Sequence, residues 1–389
     1  MNRKNNDNER LPTPSRASER SIFYYISGHG FGHATRSIEV IDALKRFRPD
    51  IPIYIRSWAS RKIFAEMCPD YTVTYCKMDI GVVQKDGISM DVPETIREFE
   101  QLKDRFPEIC QTEISSLKTH RAGCVVSDIP SAAHMLARSV GIPSLAVTNF
   151  SWDWIYDAWI DDYPKVAEIA DGMRNEYSLC DELLRLPYAP AMGTFPTISD
   201  IPMLGRKATL PKSVVRKRLG LHTETRPLVL LSFGGMGLDG KSLGASNQLQ
   251  DFRLLTTFPM NSMQITELKP LESYGIKYPD LVGAVDVVVT KPGYGIVSEC
   301  AVNHTRMLYT DRGPFREYDV IMEQMPYWNC GIYIPRKVLL EGNWKHYLED
   351  LMSRNPADAP GSTEAACAQG ARVAAEHILQ HYDKGKMAV

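Results

Sequence analysis

Short apolar runs recur along the chain, separated by longer stretches in which apolar residues return every three to four positions. Ile22–Ile26 (IFYYI) predicts a buried strand, and Arg36–Phe47 a helix with Ile38, Ile41, Ala43 and Leu44 on its inner side. Ile51–Ile55 and Tyr71–Tyr75 predict the second and third strands. Glu94–Ser116 is expected to be helical, Gly123–Ser127 (GCVVS) a strand, Pro130–Val140 a helix closed by Gly141, and Pro143–Val147 a strand. Such alternation builds right-handed βαβ units and a parallel sheet with helices on both faces. Trp152–Leu184, rich in acids and aromatics, is expected to be helical and to cover an edge.

The period then fails. Pro187, Pro190, Pro196, Pro202 and Pro211 crowd a segment that reads as an interdomain connection. A second alternation follows. Pro227–Ser232 (PLVLLS) predicts a strand running into Gly234-Gly235-Met236-Gly237, and Val285–Thr290 (VDVVVT) one running into Lys291-Pro292-Gly293-Tyr294-Gly295. A helix is expected over 296–302, a strand over Arg306–Tyr309 and a helix over Tyr318–Trp328. Gly240–Thr266 has no period that assigns it, and Thr363–Leu379 predicts an alanine-rich amphipathic helix.

The expectation is therefore an α/β protein of two doubly wound, Rossmann-like domains. Residues 1–20 would be a disordered tail, 21–204 the first domain and 205–360 the second. Residues 361–389 would form a terminal helix packing back toward the first domain. Two such sheets leave a cleft between their carboxyl ends, where ligands of open α/β sheets bind.

Composition narrows the choice. At 389 residues the chain is too long for one ordinary core and suits two domains of about 150–200 residues. A net charge of −2 supplies no basic excess for a phosphate backbone, which argues against general nucleic-acid binding. The eight cysteines contain no C-x-x-C pair, a pattern of reduced thiols rather than of a disulfide framework or zinc site. The polar first twenty residues lack the apolar core of a signal peptide, and no apolar run approaches the roughly 18 residues of a membrane span. The expected location is cytoplasmic, which leaves room for peripheral membrane contact.

The first chemistry-bearing feature is Ser27-Gly28-His29-Gly30-Phe31-Gly32-His33, directly after the first strand. Its glycines permit positive φ and close approach of a ligand. His33 falls near a helix N-terminus, whose dipole disfavours imidazolium, so a neutral ring is available to take a proton from a hydroxyl or water. A tight glycine turn with two satisfied histidines is the bland alternative. The G-x-G-x-x-G spacing of dinucleotide binders is met only in part, because His33 stands where the last glycine belongs.

In the second half, Lys291, Gly293, Tyr294 and Gly295 lie between a strand and a helix. A lysine, a glycine loop and exposed helix N–H groups make an anion site suited to a diphosphate. Ser298 and Glu299 follow one turn into the helix, where an acidic residue also simply favours the dipole. Gly234 and Gly235 are a second candidate for phosphate contact or a plain βα turn. Asp128, at the end of the GCVVS strand, either orients a histidine or caps the helix at Pro130. Asn149, Ser151, Trp152 and Asp153 follow the next strand and either line a ligand pocket, the acceptor's if the chain transfers a group, or pack an edge.

The run YYISGHGFGHATRSIEVIDAL resembles the opening of the glycosyltransferase-like domain that precedes the kinase in plant L-arabinokinases. Val147–Tyr156 (VTNFSWDWIY) and Lys291–Glu299 (KPGYGIVSE) resemble the same domain in the same order. The kinase half is expected to be absent, since no Gly-Leu-Ser-Ser-Ser-Ala-type loop occurs. More distantly, the chain looks like GT-B glycosyltransferases, among them the N-acetylglucosaminyl transferase of peptidoglycan synthesis, and like the UDP-sugar hydrolase of pseudaminic acid synthesis.

These resemblances imply a GT-B fold with an acceptor-side first domain and a nucleotide-sugar-binding second domain. His33 matches the histidine near the acceptor, and Arg36 the arginine of the hydrolase-like G-x-G-H-x-x-R. Glu299 matches a glutamate that bonds the donor ribose, and Asp311 sits where such enzymes touch the donor sugar. The sequence Pro314-Phe315-Arg316-Glu317 departs from the family's usual Asp/Glu-Gln ending.

The resulting expectation is an inverting, metal-independent glycosyltransferase using a nucleoside-diphosphate sugar of UDP type and a hydroxyl acceptor. A nucleotide-sugar hydrolase and a non-catalytic sugar-nucleotide regulator are the alternatives. His33, with His29 and Asp128, would be catalytic, and no cofactor is expected. Gly30, Gly32 and Arg36 would join the second-domain residues around the nucleotide-sugar. No D-x-D triplet occurs, and no metal is expected.

Overall fold

The structure, a computed structural model, describes residues 20–60, 64, 71–84, 90–233, 249–259, 264–311, 315–324, 330–355 and 369–385. All thirteen strands in these segments are parallel to their neighbours and divide between two sheets.

The first sheet contains β1 (Ser21–Ile26), β2 (Ile53–Ser57), β3 (Val73–Tyr75), β4 (Ala122–Asp128), β5 (Ser144–Thr148), β6 (Glu182–Arg185) and β7 (Ile198–Asp200), in the order β3-β2-β1-β4-β5-β6-β7. All six residues of β1 are buried, as a central parallel strand covered on both faces requires. The second sheet contains β8 (Leu228–Ser232), β9 (Arg253–Thr256), β10 (Ile265–Glu267), β11 (Val287–Thr290), β12 (Arg306–Tyr309) and β13 (Gly331–Tyr333), in the order β10-β9-β8-β11-β12-β13. Both orders reverse beside their first strand, between β1 and β4 and between β8 and β11. Those reversals are the points where doubly wound sheets open a crevice.

Several local expectations need correction. Trp152–Leu184 is not one helix but two, Trp152–Asp157 and Val166–Tyr177, followed by β6. Pro164 and the Asp161-Asp162 pair separate the helices. The proline-rich segment contributes β7, whose three residues pair with Leu183–Arg185 at the sheet edge, where neighbouring prolines are tolerated. The first helix runs Phe31–Phe47, five residues earlier than the apolar period indicated, because the turn at Gly30 (φ 73°) opens directly into it. The unassigned stretch yields β9 and much of β10, and the helix expected at 318–328 is described as Arg316–Gln324.

The C-terminal helix Gly370–Lys384 packs against the helix Phe31–Phe47, with Ala374, Ala375, Ile378 and Tyr382 in the same core as Ile38, Ile41 and Leu44. The Tyr382 hydroxyl donates to the Arg20 carbonyl at 2.6 Å. The last helix therefore packs over the first sheet. The described cysteines, six in number, are free thiols. Among the described residues no helix is long and apolar enough to cross a membrane.

Candidate active site

The loop after β1 and the carboxyl end of β4 meet at the crevice of the first sheet. The Ser27 backbone N–H donates to the Asp128 carbonyl at 2.9 Å, which fixes the loop to the strand end. His33, in the first turn of the helix, places Nδ1 2.9 Å from Asp128 Oδ1. Three residues on, Arg36 grips the same carboxylate through Nε to Oδ2 at 2.6 Å and Nη2 to Oδ1 at 2.5 Å. Ser37 Oγ donates to Oδ2 at 3.0 Å. Arg36 also donates to Thr148 Oγ1 and, from Nη1, to Asn149 Oδ1 at 2.6 Å.

The His33 tautomer follows from this set. Arg36 Nη2 also lies 3.0 Å from His33 Nδ1, so the guanidinium and the carboxylate compete for that nitrogen. Nη2 carries two hydrogens, and both already have acceptors in Asp128 Oδ1 and Thr148 Oγ1. A carboxylate at 2.9 Å demands a hydrogen between it and Nδ1. Nδ1–H therefore donates to Asp128, and the neutral form of the ring carries its lone pair on Nε2. Burial alone pushes the Asp128 carboxyl upward, but Arg36 and His33 outweigh it and hold the group below the usual aspartate value. Asp128 is thus an ionised, hydrogen-bonded partner for the His33 ring. Its alternative as a helix cap does not apply, because Ser131 precedes the helix Ala132–Ser139.

A second buried carboxylate lies nearby that the sequence did not single out. Asp79 accepts from Trp58 Nε1 at 2.6 Å through Oδ1 and from Trp152 Nε1 at 2.9 Å through Oδ2. The two indoles flank the histidine loop. A Cβ on Gly28 would stand 2.3 Å from the Trp58 ring, so only glycine permits that approach. Trp152 meets His29 edge-on at 5.2 Å and His33 at 6.1 Å. His29 Nδ1 accepts the Val82 backbone N–H at 3.2 Å, so His29 is tied to the wall of the site. Burial raises the Asp79 carboxyl above its ordinary value, against the opposing bonds from Trp58, Ser27 and Trp152.

The second domain closes on this loop. The helix Tyr294–Val302 follows β11 and packs against the helix Phe31–Phe47, and a Cβ on Gly295 would lie 3.6 Å from Gly32 Cα. The two glycine loops singled out in the sequence are therefore face to face, each at a helix N-terminus. Lys291 is half-buried between β11 and this helix. Beside the junction opens a small cleft lined by Thr35, Arg36, Gly205, Arg206, Gly295 and Glu299, with Ser298 and Glu39 at its wall.

Not every expected residue reaches that cleft. Tyr294 is buried against the first domain: its hydroxyl accepts the Leu204 N–H at 2.9 Å and its ring lies 5.2 Å under the Arg36 guanidinium. It is an interdomain packing residue, a correction of its expected place at the nucleotide-sugar. Ser298 turns its hydroxyl to the Gly295 carbonyl at 2.9 Å. Asn149, Ser151, Trp152 and Asp153 are all buried. Asn149 and Trp152 join the histidine network, whereas Asp153 accepts from Thr194 at 2.9 Å, away from it. Asp311 is half-buried after β12. Gly234 and Gly235 lie outside the described residues.

The segment that departs from the family ending has a role of its own. Phe315 stacks on His29 at 6.1 Å, Arg316 donates to the Trp154 carbonyl at 2.5 Å, and Glu317 accepts from Asn149 Nδ2 at 3.0 Å. These three consecutive residues bridge the second domain to His29, Asn149 and Trp154 of the first.

No protein-family profile matches the chain. Over 96% of its length it is 31% identical to L-arabinokinase of Arabidopsis thaliana, of which it spans about a third (35%). Solved structures share its fold at low identity. A UDP-glucosyltransferase from Polygonum tinctorium is 11% identical with a TM-score of 0.61, covering 95% of this chain and 100% of that one. The spinosyn forosaminyltransferase SpnP is 12% identical with a TM-score of 0.58, covering 95% and 99%. A UDP-glucose:anthocyanidin 3-O-glucosyltransferase solved with UDP is 10% identical with a TM-score of 0.57, covering 94% and 99%. The chain thus has the GT-B glycosyltransferase fold and is related along nearly its whole length to the N-terminal region of L-arabinokinase.

Proposed function

We propose that the protein is an inverting glycosyltransferase that moves a sugar from a nucleoside diphosphate of UDP type to a hydroxyl acceptor in the cytoplasm. The observation that carries this reading is the His33–Asp128 pair at the crevice of the first sheet, opposite the helix N-terminus that begins at Tyr294. His33 Nε2 takes the proton of the acceptor hydroxyl, and Asp128 stabilises the imidazolium that forms. The hydroxyl oxygen bonds to the anomeric carbon from the face opposite the diphosphate, and the anomeric carbon–phosphate oxygen bond breaks. The leaving diphosphate takes its negative charge to Lys291 and the N–H groups of Gly293 and Gly295, so the reading assigns that charge to protein groups and not to a metal. Glu299 holds the ribose, and Asp311 the donor sugar.

The same parts with water as acceptor make a nucleotide-sugar hydrolase. Incubation of the purified protein with UDP-sugars, with and without hydroxyl acceptors, separates the two. Transfer to an acceptor with slow release of free sugar is expected. Rapid release of UDP and free sugar without acceptor would sink the transferase reading. His33→Ala should abolish turnover while leaving UDP binding nearly intact.

A further inference from the structure

Resting on the nucleotide reading of Glu299, we propose that Arg206, in the connection between the domains, is a positioning residue of the donor site that sets the Glu299 carboxylate for the ribose hydroxyls. The connection does not merely pass by. A Cβ on Gly205 would lie 2.7 Å from the Ser298 carbonyl, so the glycine lets residues 204–206 lie directly on the helix Tyr294–Val302. Three bonds fix the strap there. The Leu204 N–H donates to the Tyr294 hydroxyl at 2.9 Å, Asn303 Nδ2 to the Arg206 carbonyl at 2.9 Å, and the Ala208 N–H to Asn303 Oδ1 at 2.7 Å.

From this strap the Arg206 guanidinium pairs with Glu299 through both Nε and Nη2. Both contacts fall on Oε1, which leaves Oε2 for a ligand, and both residues line the cleft between the domains. Glu299 is only 4% exposed, and burial pushes its carboxyl upward against the pull of Arg206. A buried glutamate without its cation favours the neutral acid, which accepts hydrogen bonds poorly. Arg206 thus does two things for Glu299: it keeps the carboxylate ionised and fixes its plane. Because Arg206 belongs to the connection, the ribose grip includes the interdomain strap as well as the second domain.

The test is calorimetric titration of the whole chain with UDP and with 2′,3′-dideoxy-UDP, which lacks the hydroxyls. The wild type is expected to prefer UDP by about tenfold or more, the scale of a hydrogen bond to a charged group. Glu299→Ala and Arg206→Ala should both bring the two ligands to within about twofold of each other. If Arg206→Ala does not fold, Arg206→Gln, which keeps the reach without the charge, answers the same question. Arg206→Lys should recover part of the discrimination. An arginine variant that keeps the wild-type ratio while Glu299→Ala loses it overturns the role of Arg206 alone. Tighter UDP binding by the arginine variant, with the ratio kept, overturns it too and makes the arginine a plug. If the wild type binds neither ligand, the nucleotide reading of the site falls, and Arg206 with it.

Discussion

Asp128 accepts the ring N–H of His33 at 2.9 Å while it is itself held by Arg36, so one carboxylate fixes both the orientation and the tautomer of the histidine. Asp128→Asn keeps the shape but presents an amide where an ionised acceptor stood. The proton then favours Nε2 and the base is lost. Turnover should fall by about 10³–10⁴-fold, as orienting carboxylates in other histidine-base systems indicate. The variant also leaves the buried Arg36 guanidinium facing a neutral partner, which should cost about 3–5 kcal/mol in urea unfolding. Wild-type turnover in this variant would remove His33 from the role of base.

Asp79 makes the opposite electrostatic case. Its carboxyl is raised by burial, so folding favours the protonated form over the unfolded chain. The resulting penalty is absent below the ordinary aspartate value and grows as pH rises, becoming complete above the folded pKa. Asp79→Asn removes that dependence but leaves one indole N–H facing an amide NH₂, at a cost of about 1–3 kcal/mol. Thermal unfolding across the acid range should show the wild type losing stability relative to the Asp79→Asn variant as pH rises. A pH-independent difference between the two proteins would contradict the assignment.

Gly81 sits at φ +66°, and a Cβ there would stand 2.6 Å from the His29 Cβ. Gly81→Ala pays for a left-handed backbone, about 1–2 kcal/mol, and must also displace His29 or the Val82 N–H that it accepts. Guanidinium unfolding should register the first effect. The second should appear as a fall in turnover beyond what the remaining folded fraction explains. Turnover that follows folded fraction alone would mean His29 is not part of the working site.

The parts of this architecture that the sequence disclosed are those written in local pattern. β1, β4, β11 and β12 are each built on a short apolar run (IFYYI, CVV, VVV and MLY), and glycines follow β1 and β11 because backbones must meet there, as at Gly32 and Gly295. What escaped was set by tertiary partners. β6 and β7 are short, and Glu182–Arg185 reads as strand only beside β5. Asp79 lies in a segment without period, and nothing in its neighbours announces that Trp58 and Trp152 converge on it across 21 and 73 residues of chain. Tyr294 reads as part of a phosphate loop in the sequence because glycines flank it on both sides. Its ring points the other way, under Arg36, for reasons visible only once both domains are present.

The C-terminal helix offers a pH test of opposite sign to Asp79. Glu182, in β6, accepts from Ser199 Oγ at 2.6 Å and pairs with His377 Nδ1 at 3.0 Å and His381 Nε2 at 2.9 Å, one turn apart on that helix. Burial raises its carboxyl, but the Ser199 bond and the two histidines outweigh it, and the group lies below its ordinary value. A depressed carboxyl stabilises the fold above the unfolded value, and that contribution is lost as pH falls through the folded one. Glu182→Gln should therefore be less stable than the wild type near neutrality. The gap should close as the solution is acidified past the ordinary glutamate range, with the melting temperature of the variant changing less over the same interval. A gap of constant size from about pH 7 to about pH 3 would mean that the glutamate ties down the helix by packing alone and not by its charge.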